Sequence, residues 1–173
     1  MNYINDIKLK YDNNSYNIII EIPKGTNKKF ELVEPNFDKV ECVRKVKAKY
    51  PFQYGCFPQT YAGDRDPLDA ILLKGNDKLN SLDIINVKPI AVIKTIDDNE
   101  IDDKIICIPF NQELKINLDK LLKPVFKFLR KYKGKHSKMI IDNNIYDQCE
   151  AVKLINAANV RQADILNNKI KSF

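Results

Sequence analysis

The chain has 173 residues, 44% hydrophobic and 30% charged, with a formal net charge of +6. That describes an ordinary soluble globular protein of one domain spanning 1–173, and no apolar run approaches the roughly 18 residues of a membrane-spanning helix. The basic balance leaves nucleic acid, an acidic membrane surface and a phosphorylated small molecule open as partners; with one histidine (His136) and no C-x-x-C among four cysteines, a zinc site of ordinary spacing is not expected.

Residues 1–15 are polar and read as an irregular or short helical lead-in, with no apolar segment of the signal-peptide kind and an acid that argues against a transit peptide. Ile18-Ile19-Ile20-Glu21-Ile22, ended by Pro23, reads as a strand. After a turn, Lys29-Phe30-Glu31-Leu32-Val33 alternates as a second strand would, and Val40-Glu41-Cys42-Val43-Arg44 gives a third. Glu21, Lys29, Glu31 and Arg44 can share a face there, either the solvent side of a sheet or one wall of a site.

Leu68 to Leu73 is a further apolar run. Residues 83–109 read as strand, acidic loop, strand: a hairpin whose tip carries Asp97, Asp98, Glu100, Asp102 and Asp103. After Asn117 the period becomes helical, with Leu118, Leu121, Leu122, Val125, Leu129 and Tyr132 on one face. Pro124 opens or kinks that helix, and Gly134 is a candidate stop. A short apolar piece at Met139-Ile140-Ile141 precedes a second helix over 147–171, with Val152, Ile155, Ile165, Leu166 and Ile170 as its apolar positions. Strands first and helices last argue an α+β fold, mainly β. Cys42, Cys56, Cys107 and Cys149 are expected as reduced thiols in a cytoplasmic protein.

Asp64, Asp66 and Asp69 fall within six positions, with Pro67 between the second and third. Hard oxygen donors crowded this closely repel one another unless a cation intervenes, which points to Mg²⁺ or Mn²⁺; the alternative is a solvated acidic turn. Asp97 and Asp102 form a second acidic cluster, solvated or functional on the same argument. Lys29, Arg44, Tyr54, Lys104, Tyr132 and Lys133 are donors suited to phosphate oxygens. Cations and phosphate donors together suit a phosphate ester or anhydride bridged to metal ions. An EF-hand fails because its sixth position would be Asp69 and its twelfth Gly75, and no P-loop sequence occurs.

Tyr50-Pro51-x-x-Tyr54-Gly55 followed by Asp64-x-Asp66-Pro67-x-Asp69 resembles the signature of the soluble, family I inorganic pyrophosphatases. The likeness extends to Ile20-Glu21-Ile22-Pro23, Lys29-Phe30-Glu31, Lys88-Pro89-Ile90-Ala91-Val92 and Phe128-Leu129-Arg130-Lys131-Tyr132-Lys133. The resemblance implies a closed five-stranded OB-like barrel with two flanking α-helices. It implies Mg²⁺-dependent hydrolysis of pyrophosphate to two phosphates, with several Mg²⁺ ions and Mn²⁺ as a possible substitute. By position, Asp64, Asp69, Asp97 and Asp102 would be metal ligands, aided by Glu21 and Glu31. Asp66 would be the general base, and Lys29, Tyr54, Lys104, Tyr132 and Lys133 would bind substrate. The short termini resemble the compact bacterial form, so a homo-oligomer, a hexamer by analogy, is expected.

The chain departs from the family pattern at two places. Arg65 stands where the family has Gly, and Cys42 where it has a phosphate-binding Arg; Arg44, two residues on, is expected to substitute by pointing to the same face of a regular strand. These departures motivate a second reading, a pyrophosphatase-like protein with reduced activity or another phosphoanhydride substrate. An OB-type nucleic-acid-binding module is a third, which the carboxylates among the basic and phenolic residues disfavour.

Overall fold

The isoleucine run before Pro23 forms β2 (Ser15–Ile22), and it is apolar on both faces because both faces are covered. β-branched side chains suit a pleated backbone, and Pro23, with no N–H to give the ladder, stands just past its end. The computed structural model describes residues 1–12, 14–75, 78–133 and 138–171. The lead-in, expected to be irregular or helical, contains β1 (Lys10–Asp12), an antiparallel edge on β2. Three residues are too few to carry a legible alternation.

β2 pairs with β5 (Gln53–Cys56), β5 with β6 (Asp69–Leu72), and β6 in parallel with β9 (Lys104–Pro109). β7 (Ile84–Asp97) joins both β9 and β2 and so closes a five-stranded ring, the barrel expected from the sequence. Its 14 residues allow this: its start pairs with β2, its middle with β9, and its last third with β10 (Ile140–Tyr146). The register against β9 shifts between Pro89 and Ala91, which is where a strand tolerates a residue without an N–H. β8 (Glu100–Ile101) extends the end of β7, and β3 (Lys28–Leu32) with β4 (Val40–Lys45) forms a separate hairpin.

Gly55 is fixed by the closeness of β5 to β2. A Cβ there would lie 1.9 Å from the carbonyl oxygen of Ile19. Only glycine lets the two backbones approach this far.

Alternate residues of the barrel strands feed two cores. Ala70, Leu72, Ile105 and Cys107 pack in one with Ala151, Ile155 and Ala158 of α2 (Gln148–Lys171). Ile71, Ile106 and Ile108 pack in the other with Leu122, Val125, Phe128 and Leu129 of α1 (Leu118–Leu129). The helix α1 starts at an Asn117 cap whose side chain accepts from the Lys120 N–H, so Pro124 lies inside it and does not open it. The candidate stop Gly134 and His136 lie outside the described residues. β10 stands between the helices, so the order is not strands first and helices last. In α2, small Ala151 and Ala158 make the close approach together with Ile155, whereas Leu166 is exposed and the side chain of Ile170 lies outside the description. The four cysteines are free thiols, Cys56 and Cys107 buried, Cys42 and Cys149 exposed. No helix among the described residues is long and apolar enough to cross a membrane.

Candidate active site

β6 and β9 run parallel with Asp69 in register with Lys104, so the two side chains leave neighbouring strands at the same level. The buried Lys104 ammonium pairs with Asp69 Oδ2 and with Asp102 Oδ1. The Tyr54 hydroxyl, from the adjoining strand β5, donates to Asp69 Oδ2 at 2.5 Å. The second acidic cluster reaches the first through Lys104, and Thr95 holds Asp102 in place: its hydroxyl donates to the Asp102 carbonyl while Asp102 N–H donates to the Thr95 carbonyl at 2.9 Å. The 60–68 turn is held by Thr60, which accepts from the Leu68 N–H at 2.9 Å, and by the Asp66 N–H donating to Asp64 Oδ1 at 3.2 Å.

These pieces surround one cavity of about 260 Å³. Glu21, Glu31, Asp64, Asp66, Asp69, Asp97 and Asp102 line it, as do Lys29, Tyr54, Lys104, Tyr132 and Lys133. Twelve of the thirteen expected site residues therefore meet, and the exception is Arg44. The β3–β4 ladder slips between Lys29 and Phe30, so Lys29 faces Arg44 while Phe30 faces Cys42. The strand is not regular here, and Cys42 and Arg44 do not share a face. The bulge returns Arg44 to the side of Lys29, outside the lining but near enough for its charge to act on Lys133 and Tyr132.

Glu21 differs from a residue on the solvent face of a sheet. It is buried, and its Oε1 accepts from the Leu32 N–H at 2.9 Å, tying β2 to β3. Burial pushes its carboxyl up to about 8, with the Asp69 charge adding to the effect. Asp66 rises to about 6 through burial and the repulsion of Asp64, Glu31 and Asp69. Burial and Asp69 also raise Asp102. Burial works against the Asp69 charge too, but Lys104 and the Tyr54 hydrogen bond more than offset it and hold Asp69 below its ordinary value. Lys133, whose ammonium touches the Asp97 carboxylate, is pushed down to about 8 by burial and by Arg44 and Lys29, while Asp69 and Glu31 work the other way.

Hard oxygen donors on one cavity, several of them raised by burial and by mutual repulsion, fit a divalent cation of the Mg²⁺ class. Among the described residues no three carboxylates are drawn into a cage around one point. The Lys104 and Lys133 ammonium groups sit between or against the carboxylates and balance their charge.

Sequence reasoning gave no role to Tyr50, Glu34, Asp98 and Glu100, which also line the cavity. Tyr50 was within reach, as it opens the Tyr-Pro-x-x-Tyr-Gly stretch. Its ring packs against Phe52, Tyr54, Phe128 and Tyr132, with centroids 4.5 Å apart for Phe128, and this aromatic wall fixes Tyr132 just past α1. Asp98 and Glu100 lie on the hairpin tip, where an acid on its own reads as solvated.

A sequence model of the inorganic pyrophosphatase family matches residues 18–163. The inorganic pyrophosphatase of Methanosarcina mazei is 32% identical over 158 residues, covering 85% of this chain and 91% of its own. That of Dictyostelium discoideum is 30% identical over 189 residues, covering 90% of this chain and 67% of its own. The crystal structure of an inorganic pyrophosphatase from Neisseria gonorrhoeae superposes with a TM-score of 0.80 at 27% identity, over 92% of this chain and 99% of that one. The matched span contains every residue that lines the acidic cavity, from Glu21 to Lys133, and with it the chain belongs to the inorganic pyrophosphatase family.

Proposed function

We propose that the chain is an Mg²⁺-dependent inorganic diphosphatase that hydrolyses pyrophosphate to two phosphates. The observation that carries this is the convergence of two acidic clusters, distant in sequence, with lysines and tyrosines on one cavity of about 260 Å³. Asp64, Asp69, Asp97 and Asp102, with Glu21 and Glu31 beside them, would hold Mg²⁺, which when bound would supply charge neutralisation of the phosphates and a lowered water pKa.

The chain's own residues do the rest. Asp66, with a pKa near 6, is unprotonated enough at neutral pH to take a proton from water and basic enough to do so usefully. Tyr54 and Lys104, both bonded to Asp69, hold that carboxylate in one orientation and face the same cavity as phosphate donors. Lys29, Tyr132 and Lys133, with Arg44 nearby, are the donors for the leaving phosphate. Mn²⁺ serves in place of Mg²⁺, and the chain works as a homo-oligomer.

The direct test is phosphate release from pyrophosphate with Mg²⁺, compared with the same mixture in chelator and in Mn²⁺. Turnover that depends on the metal supports the reading. No turnover above background in any of the three sinks it.

A further inference from the structure

We propose that Arg65 is a substrate-contacting residue, a cation at the acidic rim of the cavity that binds an outward phosphate oxygen of the bound phosphoanhydride. The proposal rests on the diphosphatase reading above.

Arg65 lies outside the cavity lining, but it stands between Asp64 and Asp66, both of which line the cavity. Its guanidinium is drawn across to Glu100, another lining residue, with Nη2 to Oε1 at 3.7 Å. That contact is too long for a hydrogen bond, and the side chain is 78% exposed, so its N–H groups remain available to a ligand. The lysines of the cavity are committed differently. Lys29 pairs with Glu31, Lys104 with Asp69 and Asp102, and Lys133 with Asp97. Lys29, Arg44 and Lys133 lie close to one another, and Arg65 is a cation held loosely, beside Glu100 and between Asp64 and Asp66 in the chain.

The backbone adds a second observation. Arg65 has φ of 72°, in the left-handed region that glycine occupies without strain. The Ala62 N–H bonded to the Asp66 carbonyl at 2.8 Å and the Arg65 N–H bonded to the Ala62 carbonyl at 3.3 Å fix that conformation. Glycine would relax the turn at this position, so replacing Arg65 by glycine separates the backbone strain from what the side chain itself contributes. The planar guanidinium fits phosphate oxygens in pairs, and a loose partner such as Glu100 is easily exchanged for one.

The experiment compares Arg65→Gly, Arg65→Met and Arg65→Lys. Arg65→Gly removes strain and cation together, Arg65→Met keeps the strain and most of the side-chain bulk, and Arg65→Lys keeps the charge. The expected result is a KM for Mg-pyrophosphate raised roughly five- to twentyfold in the Gly and Met variants, with kcat within about twofold and Lys in between. Calorimetric titration with inorganic phosphate in Mg²⁺ should show weakening in the same order. Thermal stability separates this from a structural role: the Tm of Arg65→Gly should be unchanged or up to about 4 °C higher, although its affinity falls. An unchanged KM in both neutral variants overturns the proposal, as does a gain in kcat/KM on Arg65→Gly, which would make Arg65 an obstruction. Failure of the diphosphatase reading is distinct, because the unmodified protein would then release no phosphate.

Discussion

Lys104 offers the sharpest test of how this site is held together. Its ammonium is 1% exposed and is shared between Asp69 and Asp102. Lys104→Met keeps an unbranched apolar stem and removes the charge, leaving two buried carboxylates facing each other. Breaking a buried pair by removing one partner costs about 3–5 kcal/mol. At about 2–4 °C per kcal/mol for a chain of this size, the metal-free Tm should fall by about 6–20 °C. The fall should be greater at pH 8 than at pH 5, because Asp102, already raised by burial and by Asp69, can take up a proton at the lower pH and relieve the repulsion. A divalent cation bound by the same carboxylates replaces the missing charge, so saturating Mg²⁺ should recover most of the loss and raise the Tm of the variant more than that of the parent. Differential scanning calorimetry in chelator and in MgCl₂ reads both numbers. An equal Tm deficit in the two buffers would refute the reasoning, since Lys104 would then be a packing element and not a stand-in for a cation.

Glu21 gives a pH prediction with a definite sign. Its folded pKa, near 8, lies above the ordinary 4.5, so the native state binds the extra proton. The stability that Glu21 contributes to the metal-free protein is fully present below about 4.5 and is lost as pH rises through about 8. Glu21→Gln keeps the acceptor for the Leu32 N–H, so denaturation in chelator should show a flatter slope between pH 5 and 8 than the parent; an unchanged slope counts against a buried, repelled carboxylate here. Asp66→Asn should lower kcat by roughly 10²–10⁴-fold while the Mg²⁺-induced rise in Tm persists, and loss of that rise would make Asp66 a metal ligand instead of a base. Gly55→Ala puts a Cβ 1.9 Å from the Ile19 carbonyl oxygen. It should cost more than about 3 kcal/mol or abolish folding, and a chemical-denaturation midpoint near the parent's would show that β2 and β5 can separate.

What the sequence revealed and what it hid follow from how far each signal reaches along the chain. The isoleucine run before Pro23 and the apolar run after Asp69 announce β2 and β6 because a buried strand needs only its own residues to be recognised. The Asp64–Asp69 carboxylates are legible for the same reason, as repulsion between neighbours demands an explanation wherever it occurs. Closure of the ring is legible only through the family resemblance, since it depends on β7 meeting β2 some 70 residues away. β10 was hidden because Asp142, Asn143 and Asn144 interrupt its alternation where the register against β7 shifts. Glu21 was misleading for a third reason: a lone acid among isoleucines has the pattern of a solvent face, and only the arrival of the Leu32 N–H makes its burial tolerable.

The β4 bulge shows how one such local irregularity decides chemistry. On a regular β4, Cys42 and Arg44 would point the same way, and Arg44 would reach the site simply as a neighbour of the residue it replaces. The ladder instead spends one extra residue of β4 against Phe30, which turns Cys42 to the Phe30 side and sets Arg44 across from Lys29. Arg44 then joins Lys29 in repelling the proton on Lys133, whose burial already works against its charge, so three cations stand close together although Lys29 and Lys133 each touch a carboxylate. The aspartates crowd as well, and Asp102 is raised by burial and by Asp69 in spite of Lys104. Both sets of groups gain from what a phosphoanhydride carrying divalent cations brings: anionic oxygens for the lysines and arginine, positive charge for the carboxylates. A ligand of either sign alone would satisfy only one of the two, which is why substrate and metal are expected to bind this cavity more tightly together than either does alone.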